Sequence, residues 1–189
     1  MKKNIIFFGP PGAGKGTQAK IISSFLELPH LSTGEILRSK TKENDDLASE
    51  LKKIMASGKL VSDQILNQIV SEKLNSIKIG FILDGFPRTL DQSSFLNNFM
   101  KNNLLEFDFI FNINIEFETL RERILKRSKE EKREDDNINV IQTRYNEYLN
   151  TTKKVSDFYN ENFNEIFYNI DGDDQISEIT SKIKKILKN

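Results

Sequence analysis

The chain has 189 residues, enough to bury one sizeable core and too few for two full enzyme domains. Its 28 Lys plus Arg balance 28 Asp plus Glu, and a formal net charge of zero argues against a dedicated nucleic-acid binder, which carries a basic excess. With no cysteine there is no disulfide framework, thiolate zinc site, iron–sulfur cluster or cysteine nucleophile, and the single histidine, His30, leaves no histidine cluster for a metal. The positive charge is unevenly divided. There are 21 Lys and only 7 Arg, and Arg121, Arg123, Arg127, Arg133 and Arg144 fall within one 24-residue window.

In chain order, Met1-Lys2-Lys3-Asn4 followed by the apolar residues 5–8 imitates the start of a signal peptide, but the run stops after four residues at Gly9-Pro10-Pro11-Gly12 and reads as a buried strand. Residues 28–31 form a weaker strand candidate, and residues 81–83, 109–113 and 166–170 form three more. Helix-period segments lie between them, the signature of a parallel sheet flanked by helices in an α/β protein. In the last segment Ile176, Ile179, Ile183 and Ile186 share one face, with Asp173 and Asp174 at the start and Lys182, Lys184 and Lys185 towards the end, as a helix dipole favours.

Two segments fit the alternation poorly. Residues 32–61 are polar and helix-forming, with Gly34 and Gly58 near the ends, and read as an insertion standing off the core. Residues 128–137, SKEEKREDDN, bury nothing and read as a mobile loop between two helices, although a charge run is commonly just solvated surface. No stretch approaches the roughly 18 apolar residues of a membrane helix, so a soluble, cytoplasmic protein with no membrane partner is expected.

The strongest chemical signal is Gly9-Pro10-Pro11-Gly12-Ala13-Gly14-Lys15-Gly16-Thr17, directly after a strand and before an apolar-periodic helix. A polyphosphate needs inward backbone N–H groups at a helix N-terminus, glycines for close approach and an ammonium to bridge phosphates. All three are present. The general pattern places Ser or Thr directly after the Lys; here Gly16 holds that place and the hydroxyl moves to Thr17. The second signal is Gly80-Phe81-Ile82-Leu83-Asp84-Gly85-Phe86-Pro87-Arg88-Thr89-Leu90-Asp91-Gln92. An acid ending a buried strand beside a phosphate loop is where Mg²⁺ would be held, through water, by Asp84 with Thr17. A strand-ending Asp on its own is more often a cap or turn residue, and only the pairing with the phosphate loop reverses that reading. Arg88, just past the Gly-Phe-Pro turn, would project into the same crevice.

Together these residues resemble the adenylate kinase family, and the resemblance spans essentially the whole chain: GPPGAGKGTQ, Leu31-Ser32-Thr33-Gly34-Glu35-Ile36-Leu37-Arg38, Gly58-Lys59-Leu60-Val61-Ser62-Asp63, FILDGFPRTLDQ, and Arg123 to Arg127 leading to Arg133, Asp135-Asp136 and Arg144. The resemblance implies a P-loop nucleoside-triphosphate-binding fold: one core domain with a five-stranded parallel sheet flanked by helices. It also implies two parts that close on the core, a nucleoside-monophosphate-binding segment at 32–61 and a short lid at 127–137.

Residue by residue, it implies an ATP site at Gly12, Ala13, Gly14, Lys15, Gly16 and Thr17, with Arg123, Arg127 and the backbone of Gly172. It implies an AMP site at Thr33, Arg38, Lys59, Leu60, Val61, Gly85, Phe86, Pro87, Arg88 and Gln92, joined by Arg133 and Arg144. The catalytic set is then Lys15, Arg88, Arg127, Arg133 and Arg144. Arg121 has no matched role and reads as a surface helix residue, and His30 as a structural hydrogen-bonding residue rather than a catalytic one. The expected reaction is reversible, Mg²⁺-dependent phosphoryl transfer from ATP to AMP by a monomer, without zinc and without nucleic acid.

The chain departs from the family pattern at Glu35, where Asp is usual, at Ser62, where Pro is usual, and at Ile138 and Asn139, where acids are usual. Thr33 and Gln92 favour AMP over the pyrimidine acceptors of a UMP/CMP kinase, whose members usually carry Ala and Asn there. A catalytically dead nucleotide-binding homologue would be expected to have lost Lys15, Asp84, Arg88 or a lid arginine, and a GTPase switch would need an N-K-x-D stretch that is missing. Nucleic-acid binding through the arginine window is opposed by the interleaved Glu122, Glu130, Glu131, Glu134, Asp135 and Asp136.

Overall fold

The structure, a computed structural model, describes residues 3–131 and 138–188, with side chains described for 3–128 and 140–188. Five strands, β1 (Lys3–Phe8), β2 (His30–Ser32), β3 (Gly80–Asp84), β4 (Phe109–Asn114) and β5 (Phe167–Asp171), form one parallel sheet in the order β2-β3-β1-β4-β5. The chain steps to one side of β1 for β2 and to the other for β4 and β5. The reversal leaves a crevice beyond the carboxyl ends of the central strands, where open α/β sheets hold their ligands.

The near-continuous apolar run of β1 reflects a strand covered on both faces. Ile5 and Phe7 point to one side, where α1 (Lys15–Leu26) and α9 (Ile176–Ile186) supply Ala19, Ile22, Ile179 and Ile183. Ile6 and Phe8 point to the other, among residues of α4 (Asp63–Asn75), α5 (Leu90–Asn102) and α8 (Lys153–Asn162) such as Leu66, Leu96 and Tyr159. Helices α2 (Thr33–Lys40) and α3 (Asp46–Ser57) form the 32–61 segment. Its Leu37, Leu51 and Val61 join the same buried cluster as Phe8 and Leu83, so the segment is continuous with the core rather than standing off it. Helices α6 (Phe117–Glu131) and α7 (Ile138–Glu147) make a smaller cluster of Leu120, Ile124 and Ile141, and one π-helical turn, Tyr148–Thr152, joins α7 to α8.

The strands at 5–8, 81–83 and 109–113 extend by one or two residues beyond expectation, and three other boundaries differ for local reasons. Glu27, with φ 55°, ends α1, and Leu28 N–H donates back to Ser23, so Leu28 belongs to the helix end and the strand starts at His30. Ile166 closes a short 3-10 turn, which moves β5 on by one residue. Residues 128–131 continue α6 rather than opening a loop, as the helix propensity of Lys and Glu favours.

Candidate functional site

The loop after β1 turns sharply at Gly12 and Gly14, both with positive φ, and α1 begins at Lys15 with no acidic residue in its first turn. Its free N–H groups and dipole therefore face the crevice unopposed, as an anion requires. At Gly12 (φ +88°) a Cβ would stand 2.6 Å from Cγ1 of Ile124, so only glycine lets the loop seat against α6. Lys15 Nζ donates to the Pro10 carbonyl at 2.8 Å. Burial pushes the Lys15 ammonium down to about 7; Asp84 opposes the shift, and Arg88, Arg144 and Arg127 add to it.

Asp84 ends β3 between Phe7 of β1 and Ser32 of β2. Its carboxylate accepts from Ser32 Oγ at 3.2 Å, and His30 Nε2, buried and with no closer hydrogen-bond partner, faces it at 3.6 Å. Burial works against its charge, but His30, the Lys15 ammonium and the Arg88 guanidinium outweigh it and hold the carboxyl below the usual carboxylate range. A Cβ on Gly16 would lie 3.1 Å from Asp84 Oδ2, so the residue that departs from the general loop pattern leaves room for that oxygen.

The turn after β3 carries Arg88. Gly85 has φ +81°, and the Phe86–Pro87 peptide is cis. Thr33 Oγ1 donates to the Gly85 carbonyl at 2.8 Å and Arg88 Nε donates to the same oxygen at 2.7 Å, which sets the guanidinium beside the start of the 32–61 segment. Burial, with Arg144 and Arg38 nearby, lowers the Arg88 guanidinium to about 10, still charged at neutral pH. Arg123 donates to the carbonyl of Gly172 at 2.6 Å, and the Gly172 N–H in turn bonds the Asn114 carbonyl, so the loop after β5 is drawn against α6 and β4.

One cleft of about 1370 Å³ gathers most of the residues singled out by sequence: Gly12 to Thr17, Thr33, Arg38, Lys59 to Val61, Asp84, Gly85, Pro87, Arg88, Arg123, Arg127 and Arg144. Three others lie behind its wall. Phe86 is buried edge-on to Phe95, Gln92 is fully buried, and Gly172 supports Arg123 from outside the lining. Arg133 lies outside the described residues, as do the side chains of Ile138 and Asn139. Arg121 is exposed, 3.7 Å from Glu118 one helical turn away. Sequence reasoning missed Tyr148 and Thr152, which line the cleft with Arg144 at four-residue spacing; that spacing was the available signal.

A family-wide sequence profile described as adenylate kinase matches residues 7–164. The chain is 40% identical over 185 residues to an adenylate kinase of Prochlorococcus marinus subsp. pastoris, covering 98% of this chain and 97% of that one. It is 40% identical over 185 residues to that of Leptospira biflexa serovar Patoc (97% and 98% covered) and 36% identical over 211 aligned positions to that of Petrotoga mobilis (97% of each). Similarity of this depth along nearly the whole length, on a sheet and phosphate loop of this geometry, shows that the chain belongs to the adenylate kinase family.

Proposed function

We propose that the chain catalyses the reversible transfer of the γ-phosphoryl group of ATP to AMP, giving two ADP. The observation that carries this reading is the convergence of Lys15, Asp84 and five arginines, Arg38, Arg88, Arg123, Arg127 and Arg144, from separate elements onto one cleft. An AMP phosphate already offers an anionic oxygen at neutral pH, so no base is needed. The demand is for in-line positioning and for charge neutralisation on the phosphoryl group in flight. Guanidinium forks meet that demand better than ammonium points, and six of the seven arginines occupy family-matched positions.

The N-terminus of α1 and Lys15 would bind the donor phosphates, with Arg123 and Arg127 over the donor nucleotide. Thr33, Arg38, Lys59 to Val61 and the Gly85 to Arg88 turn, with Gln92 behind them, would hold AMP, and Arg88, Arg133 and Arg144 would grip the transferring group. Mg²⁺ fits the donor set: a buried, charged Asp84 carboxylate stands across from Gly16, and the exposed Thr17 hydroxyl lies in the same cleft. Bound there, mostly through water, the ion would offset phosphate charge.

The 32–61 segment and the 127–137 lid would close over both nucleotides and exclude water, which protects ATP from hydrolysis. Energy transfer between labels at residues 55 and 131 should rise with a bisubstrate analogue, and an unchanged signal would count against closure. No helix among the described residues is long and apolar enough to cross a membrane, and we read the protein as a cytoplasmic monomer that binds nucleotides rather than nucleic acid. Replacing Lys15 with Met tests the assignment of the loop: kcat should fall by roughly three orders of magnitude or more, and a variant within tenfold of wild type contradicts it.

A further inference from the structure

Asp63, the first residue of α4, carries no role in the site described above, yet it anchors a hydrogen-bonded chain that ends on Arg88. Its Oδ1 accepts from Gln92 Nε2 at 2.7 Å and its Oδ2 accepts from Thr89 Oγ1 at 2.8 Å. Gln92 is fully buried, and its Oε1 accepts from the Arg88 N–H at 2.7 Å. The Arg88 carbonyl takes the Thr152 hydroxyl at 3.2 Å, and its Nε is spent on Gly85. The arginine is therefore held at N–H, C=O and Nε, and the N–H contact depends on an amide that Asp63 orients.

A carboxamide can sit two ways round, and only one suits this place. Reversal would set the Gln92 oxygen against the Asp63 carboxylate and its NH₂ against the Arg88 N–H, leaving two buried polar groups facing their own kind. The carboxylate thus decides which end of Gln92 is oxygen. Asp63 also follows Lys59, Leu60 and Val61, which line the cleft, so one side chain ties the end of the acceptor segment to the turn that carries Arg88.

The structure assigns Asp63 as a positioning residue for the acceptor side of the site, acting through Gln92 on Arg88. This rests on the reading above in which Arg88 contacts AMP and the transferring phosphoryl group. It reaches beyond that reading by placing part of the control of acceptor binding in a residue that touches no substrate.

The test is steady-state kinetics of the full chain with both nucleotides varied, using Asp63→Ser, whose hydroxyl suits a helix start but is too short to bridge Thr89 and Gln92. The KM for AMP should rise about tenfold while the KM for ATP stays within about twofold. Gln92→Leu should give the same split, and the double variant should be no worse than the poorer single one, since both remove one link of one chain. Asp63→Ala serves if Asp63→Ser does not fold. Equal rises in both KM values, an AMP KM within twofold of wild type, or fully additive losses in the double variant each overturn the assignment. Arg88→Met, which removes the charge and the fork together, assayed alongside, separates the two claims. If it keeps wild-type kcat the reading of Arg88 fails, whereas if it loses activity and Asp63→Ser does not raise the AMP KM, only the inference fails.

Discussion

Lys15 Nζ and the Pro10 carbonyl, 2.8 Å apart across the glycine loop, form a bond that occupies one of the ammonium's three donors and leaves two for a phosphate. The ammonium closes its own loop and sits where burial disfavours its charge, near a pKa of about 7. Its folded value lies below the 10.5 of the free side chain, so between those limits the unfolded chain binds more protons than the native one. This group's contribution to stability therefore rises as pH rises from about 7 towards 10.5 and is lacking below that window. Denaturant melts of wild type and Lys15→Met across pH 7 to 10 should show the wild type gaining on the variant as pH increases. A parallel or opposite trend would mean the lysine is not held in a place that penalises its charge.

Arg88 offers a test of charge against geometry. Arg88→Lys keeps a cation but loses the Nε bond to Gly85 and the planar fork, and should lower kcat by about 10²-fold or more in single-turnover ADP formation. Retention of wild-type turnover would show that a point charge suffices at this position.

Gly85 has φ +81°, and a Cβ there would stand 2.8 Å from both Arg88 Nη2 and Thr33 Oγ1. Gly85→Ala should cost about 1–2 kcal/mol in stability from the backbone alone and lower kcat/KM for AMP by roughly tenfold, because the relief of crowding must move Thr33 or Arg88. Calorimetric affinity for ATP should change little. A loss confined to ATP would place this turn on the donor side.

The core makes a separate prediction. Leu83 is fully buried in β3, an interior strand of the sheet, and belongs to the cluster that also takes Leu37 and Leu51 from the 32–61 segment. Leu83→Ala should destabilise by about 2–5 kcal/mol in urea titration while the KM values of the folded enzyme at low temperature stay near wild type. An unchanged unfolding midpoint would contradict the close packing of this strand.

How far the sequence reveals this molecule depends on whether a feature is local. The glycine loop, Lys15 and the strand before them are contiguous, and their chemistry is written in adjacent residues. Asp84 is legible as the end of an apolar run. Helical phase separates Arg123 and Arg127, which line the cleft, from Arg121, which faces solvent beside Glu118. The bond from Arg123 to Gly172 and the link from Asp63 to Gln92 span 49 and 29 residues and depend on how helices pack, which no short-range pattern encodes. For the same reason, the burial of Gln92 behind the cleft wall could not be read from its place in FILDGFPRTLDQ. The strand at His30–Ser32 was displaced from expectation by a left-handed Glu27 that nothing in its residue type announces.

Acceptor competition tests the central claim most directly. With ATP and Mg²⁺ fixed and ADP formation followed by a coupled assay, AMP should support turnover at least about 10²-fold above CMP, UMP and the acceptor-free rate. Faster turnover with CMP or UMP, or ATP binding by calorimetry with no ADP formed from AMP, would contradict it.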